Sequence, residues 1–199
     1  MRPDWEASPD PLTLLQQGHS AAFETFVSQA SATFLGFFRR LGAQPGEAED
    51  LTQELFLRLL RAASWYRADG RFSAFCFRIA RNLWIDQERR RAARPVPRPG
   101  EGDAADWPDP RSADQRPWEA MEQAEQGRRL LQALGELSTA HRLVFELAVV
   151  QERPYAEIAS LLEIPVGTVK SRVFYCLKHL RTRLAPALPD SEPPARPLP

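Results

Sequence analysis

The residues of this chain best arranged for chemistry do non-covalent work. From Lys170 to Arg183 there is no acid, and Lys170, Ser171, Arg172, Phe174, Tyr175, Lys178 and Arg181 gather on one side of a helical repeat. Cationic donors, a hydroxyl and two aromatic rings so spaced can meet base edges and phosphates, which suits a helix lying in a DNA major groove. The other side carries Val169, Val173, Leu177, Leu180 and Leu184, an apolar stripe that predicts the buried face. Just upstream, Ile158, Ala159 and Leu162 give a shorter helix its own apolar face, and Ile164-Pro165 breaks the chain between the two. Gly167 and Thr168 open the second helix, whose free backbone N–H groups can hold a phosphate. Pro154 to Leu184 therefore reads as a helix-turn-helix.

Holding such a helix takes a scaffold. The chain has 199 residues, 43% of them hydrophobic, enough for one domain or two small ones. Apolar spacing predicts a helix from Pro11 to Gln17 closed by Gly18. A second, capped by Ser20, runs to about Arg40 and buries Phe23, Phe26, Val27, Ala30, Phe34 and Phe37 or Phe38. A third runs from near Gly46 to about Ala63 through Leu51, Leu55, Phe56, Leu59 and Leu60, with acids in its first turn. Trp65 to Phe72 holds the turn signal Asp69-Gly70 and reads as a loop, and a fourth helix follows from Ser73 to about Arg91. Residues 93–117 are acidic and proline-rich and read as a flexible linker. Beyond it come a helix from Trp118 to about Gly135 and one capped by Ser138 that buries Leu143, Val144, Leu147 and Val150. The tail, residues 185–199, reads as disordered. The expected fold is all-α: two small helical domains, 1–92 and 118–184, joined by the flexible acidic linker, the second a helix-turn-helix.

Formal net charge is zero, yet the charges are segregated. The stretch from Arg58 to Arg98 is basic, Glu101 to Glu125 acidic, and the C-terminal helix basic again, so a nucleic-acid surface hides inside a neutral sum. Cys76 and Cys176 stand alone without a C-x-x-C pair, which predicts reduced thiols and neither metal nor cofactor. No apolar run approaches a membrane span and no leader pattern opens the chain, so a soluble cytoplasmic protein is expected.

Three separated strings give this chain its family likeness. Ala48-Glu-Asp-Leu-Thr-Gln-Glu-Leu-Phe-Leu-Arg-Leu-Leu60 and Phe72-Ser-Ala-Phe-Cys-Phe-Arg-Ile-Ala-Arg-Asn-Leu-Trp-Ile-Asp86 lie in the first domain, and Ile164-Pro-Val-Gly-Thr-Val-Lys-Ser-Arg172 in the second. In this order the chain resembles the extracytoplasmic-function (ECF) group of sigma-70 family sigma factors over about residues 11–92 and 118–184. The resemblance implies a transcription initiation factor that does no bond chemistry. It would bind core RNA polymerase at the clamp and flap, recognise −10 and −35 promoter elements, and answer to an anti-sigma factor. Polymerase contact falls to Asp50, Gln53, Glu54 and Arg58. Reading and melting the −10 element falls to Tyr66, Arg67, Asp69, Arg71, Arg78, Arg81, Asn82, Arg89 and Arg90, because an unstacked base needs aromatic surfaces and hydrogen-bonding groups at a flexible edge. The −35 element falls to Thr168, Lys170, Ser171, Arg172, Phe174, Tyr175 and Lys178. By the same resemblance the linker threads toward the polymerase active centre.

The sequence departs from the family pattern at points. Glu163 stands where family members usually carry glycine, as do Gln151 and Glu152 near a similar turn, and a non-glycine residue in the left-handed region costs about 1 to 2 kcal/mol. Phe75 replaces a frequent tryptophan and Tyr175 a frequent base. The principal rival is a DNA-binding regulator with the first domain as a sensor, against which the two first-domain strings argue. An enzyme is a distant third, since His19, His141 and His179 are scattered and neither a Gly-rich phosphate loop nor a nucleophile motif is present.

Overall fold

The computed structural model describes Trp5 and residues 9–93 and 117–185, with side chains of 117–124 excepted, and all regular structure among them is helical. The expected linker and tail fall almost wholly outside the described residues. The helices are α1 (Pro11–Gln16), α2 (Ser20–Leu41), α3 (Pro45–Ala62), α4 (Phe72–Ala93), α5 (Pro117–Gly135), α6 (Thr139–Phe145), α7 (Tyr155–Leu162) and α8 (Val166–Leu184). Their ends follow local chemistry. Asp10 Oδ1 accepts from the N–H groups of Leu12 and Thr13 at 3.0 and 3.3 Å to cap α1. Gly42, at φ +106, closes α2 in the left-handed conformation that glycine adopts without penalty. Ser20 does not cap α2 as expected. It is already helical, and His19 holds the cap position without a side-chain bond.

The first module packs α1 to α4 around an aromatic core in which Trp5, Phe26, Phe34, Phe37, Phe38 and Phe77 are fully buried. The ring of Trp5 meets that of Phe26 at 5.3 Å and Phe34 meets Phe77 at 5.2 Å, in edge-on and tilted contacts that aromatic quadrupoles favour. Val27 and Phe56 are only half-buried, and Leu60, expected inside, is exposed. In the second module α8 packs against α5, α6 and α7.

Three features depart from simple periodicity. After α6 the chain makes a π turn, Glu146–Val150. The wider turn shifts the register, so Glu146 goes fully inside while Val150, expected in the core, faces out. On α8 the buried stripe is Val169, Val173, Cys176 and Leu180, and Leu177 and Leu184 are exposed. A spacing of four, three and four follows the 3.6-residue turn better than the all-leucine path, and it lets the small Cys176 meet α6, its thiol donating to the His141 carbonyl at 3.4 Å. Finally, the two modules are not separate bodies here, since Leu143, Val144, Leu147, Ile158 and Val169 belong to the same continuous apolar cluster as the aromatic core of α2 and α4.

The turn between α7 and α8 is made by Glu163 at φ +56, ψ +43, and Glu152 at φ +50 makes another before α7. The exposed Glu163 side chain makes no hydrogen bond or ion pair among the described residues that would offset its backbone strain. Glu163→Gly is therefore expected to stabilise the second module by about 1 kcal/mol. A thermal midpoint that stays level or drops would show that the turn is unstrained.

Candidate functional site

Three surfaces and one internal seam carry the candidate residues. On α3, Asp50 and Gln53 are exposed and Glu54 and Arg58 half-exposed. Arg58 Nε donates to Glu54 Oε1 at 2.8 Å, and that bond, with the positive charge behind it, holds the Glu54 carboxyl below its ordinary range. The structure brings all four together on one solvent-facing side of α3. Leu57 emerges among them and Leu60 at their edge, one turn on, as exposed leucines. Sequence reasoning missed both as surface residues, although a run of leucines too wide for one buried stripe was the available signal. An apolar centre with a polar rim is the composition of a protein-binding surface.

The loop after α3 and the start of α4 border a cleft of about 940 Å³. Arg67, Asp69 and Arg71 are exposed on it, and the Asp69 carboxylate accepts the Arg71 N–H at 3.0 Å around Gly70, at φ +74. Arg78 lies over the Phe75 ring at 5.3 Å. The two aromatic residues at the loop's start face opposite ways. Tyr66, expected to meet nucleic acid, is buried, with its ring 5.0 Å from Phe75 and its hydroxyl donating to Asp10 Oδ2 at 2.5 Å. Burial first, and the Asp10 carboxylate second, push the Tyr66 phenol well above its ordinary range. Trp65, 66% exposed, is the ring that faces outward over the cleft. Further along α4, Arg81 is half-buried and Asn82 exposed, with Arg81 donating to Asn82 Oδ1 at 3.0 Å. Arg89 and Arg90 are exposed, whereas Arg91 pairs with Glu47 and with Glu88 and covers the Trp84 ring at 5.1 Å. Of the triple-arginine run, all exposed, Arg91 is the one engaged with Glu47, Glu88 and Trp84, while Arg89 has only a 3.9 Å approach to Asp86.

On α8, Lys170, Ser171 and Lys178 are exposed, and Phe174, 71% exposed, is the most outward aromatic of the helix. The Ser171 hydroxyl donates back to the Thr168 carbonyl at 3.0 Å, which leaves its oxygen free to accept from a base amino group. Thr168 and Arg172 are half-buried. Tyr175 is 53% exposed, and its ring is gripped by two histidines that look scattered in sequence: His141 at 4.8 Å and His179 at 6.5 Å, the latter stacked. Burial, with the nearby Arg172 charge, holds His141 below its ordinary range and favours the neutral ring. Arg183 Nε pairs with Glu136 at 2.8 Å.

The seam between the modules is polar at its heart. Arg40 donates from Nε and Nη2 to the two carboxylate oxygens of fully buried Glu146 at 2.6 and 2.9 Å, and Gln151 Nε2 adds a third bond at 2.9 Å. Arg142 donates to the Leu41 carbonyl, and Thr139 to Glu88 at 2.9 Å. Arg153 lies over the Phe77 ring at 4.8 Å. Pro154, Ala156, Glu157 and Ser160, at the start and along α7, wall the cleft opposite Trp65 and Arg71.

Known proteins share this arrangement of modules. Residues 26–94 match the family model for sigma-70 region 2, and residues 127–180 that for sigma-70, region 4. The ECF RNA polymerase sigma factor SigL of Mycobacterium tuberculosis is 30% identical over 166 residues, covering 83% of this chain and 90% of that protein. The RNA polymerase sigma-H factor of Pseudomonas aeruginosa is 28% identical over 180 residues, covering 89% of this chain and 93% of that one. Among solved structures, CnrH in complex with the cytosolic domain of CnrY has a TM-score of 0.62 at 22% identity, covering 88% of this chain and 96% of that chain, a likeness of fold. No helix among the described residues is long and apolar enough to cross a membrane.

Proposed function

Because the chain belongs to the ECF sigma factors of the sigma-70 family and so directs promoter-specific transcription initiation, we propose a division of labour among its surfaces. The α3 face, with exposed Leu57 and Leu60 beside Asp50, Gln53, Glu54 and Arg58, docks on the polymerase clamp. The loop from Trp65 to Arg71, with Arg78, Arg81 and Asn82, holds an unstacked −10 base, while Arg89 and Arg90 add phosphate affinity without sequence information. The exposed face of α8 reads the −35 element, and region 4 also meets the flap. The protein works in the cytoplasm, held in reserve by an anti-sigma factor. One solved structure of similar fold, the sigma factor RpoE of Bartonella quintana, was determined with the anti-sigma factor NepR.

The observation that carries this reading is the order, on one chain, of an exposed clamp-type face, an aromatic and cationic loop, and an acid-free recognition helix. The described arrangement is its closed form. α7, which packs against α8, also packs against α4 and shares a cleft with the −10 loop, so the two modules lie side by side. DNA elements two helical turns apart lie roughly 70 Å from each other. About 25 extended linker residues reach roughly 85 Å, so the modules can separate to span them.

Run-off transcription with core polymerase and genomic fragments tests the proposal. A promoter-dependent transcript is expected from the wild type. Asp50→Ala with Gln53→Ala and Glu54→Ala is expected to weaken polymerase binding about tenfold or more, while the helical circular dichroism stays unchanged. An undiminished affinity in a pull-down titration would move the clamp contact elsewhere.

A further inference from the structure

The −10 loop is held from outside the segment that matches region 2. Gln16, in the last turn of α1, donates from Nε2 to the carbonyls of Ala63 at 2.6 Å and Tyr66 at 2.8 Å. Both acceptors lie just past the end of α3, where backbone carbonyls lack helical partners. Asp10 works in two directions, as Oδ1 caps α1 through Leu12 and Thr13 while Oδ2 receives the Tyr66 hydroxyl at 2.5 Å. Trp5 sets its ring edge-on to Phe72 at 6.4 Å, at the loop's far end. Both ends of the loop are thus tied to Trp5, Asp10 and Gln16, ahead of the matched segment that begins at residue 26.

We propose that Asp10 and Gln16 are positioning residues for −10 recognition. Resting on the assignment of the loop to the −10 element, the proposal says what makes its reading selective. Between its anchors the exposed loop has the local Asp69–Arg71 bond and a glycine at positive φ, so its shape depends on the ties at its ends. A loop fixed by those ties offers Trp65, Arg67 and Asp69 in one geometry and cannot relax around a wrong base. A loose one can adapt, and discrimination falls even where binding survives.

The test uses the full chain with core polymerase on templates randomised through the −10 element. Gln16→Met keeps the length and removes both donors, and Tyr66→Phe removes only the hydroxyl. Each variant is expected to narrow the ratio between the best and other bases at the position facing the loop, together by about tenfold, the worth of about one net hydrogen bond out of the three removed. Polymerase affinity should stay within about twofold of wild type. An unchanged base ratio, or a uniform drop on all templates in step with polymerase affinity, overturns the positioning role. Trp65→Ala and Asp69→Ala separate this from the underlying assignment. If neither changes the −10 profile, the loop does not read that element and the proposal falls with it; if they flatten the profile and Gln16→Met does not, only the positioning role fails.

Discussion

Replacing Arg40 by alanine is expected to open the molecule. Glu146 is fully buried and accepts two of its hydrogen bonds from Arg40, at 2.6 and 2.9 Å. Removing the guanidinium leaves a carboxylate inside the seam with Gln151 as its remaining described donor. Stranding one member of a buried ion pair costs about 3 to 5 kcal/mol, and separation of the modules relieves that cost by returning Glu146 to water. With 1.4 kcal/mol per factor of ten, the closed-to-open ratio should fall by about a hundredfold even at the lower figure. The open form is the one that reaches both promoter elements, so the sigma concentration for half-maximal run-off transcription should fall too, since apparent affinity scales with the competent fraction. Fluorescence energy transfer between labels on the exposed faces of α3 and α8 would report the change, because native Cys76 and Cys176 are both buried. The double variant Arg40→Met with Glu146→Leu should restore closure, as apolar replacement of a buried pair is often neutral or stabilising. An unaltered distance distribution in Arg40→Ala would mean that the apolar seam alone holds the modules together.

The seam also marks where sequence reading ran short. The helices were legible because their signals are local: Phe26, Ala30, Phe34 and Phe37 recur at helical spacing, Gly42 ends α2, and Ile158, Ala159 and Leu162 face inward as their pattern demands. The strain at Glu163 was legible as well, since a side chain stands where the turn requires positive φ. Periodicity failed where a neighbour overrides it. The π turn moves one residue past the regular register, and Glu146 is held inside chiefly by Arg40, 106 positions away in sequence, which donates two of its bonds. Leu177 loses its place in the α8 stripe to Cys176 because close approach to α6 favours the smaller side chain. Tyr66 and Trp65 are adjacent aromatics of equal appeal, and the tie that turns Tyr66 inward comes from Asp10, 56 positions earlier. In these three cases a long-range pairing decides, and no window of sequence contains it.

On α8, base reading and phosphate attraction should respond differently to substitution. Lys170, Ser171 and Phe174 are exposed in the first turns of the recognition helix, where side chains reach base edges. Substituting any one of them by alanine should change which −35 sequences are used, by about 1 to 3 kcal/mol for each well-aligned base interaction it removes. Arg181, exposed in the last turn, is the control for charge. Its removal should weaken all −35 sequences alike and make binding less sensitive to salt. Arg183 is a poor second control because Glu136 already pairs with it. Tyr175 is the most informative position. Its ring is held by His141 and His179, which leaves about half of it exposed at a fixed angle, suited to packing on a thymine methyl. Tyr175→Arg exchanges that surface for a bidentate donor, so preference should shift toward guanine at one −35 position. His141→Ala should blur the same position without moving it toward guanine, because the ring would remain but lose its support. A randomised −35 library scored by transcription distinguishes these results. An unchanged base profile for Tyr175→Arg would place the tyrosine in the scaffold of the domain, as a partner of the histidines and not of the DNA.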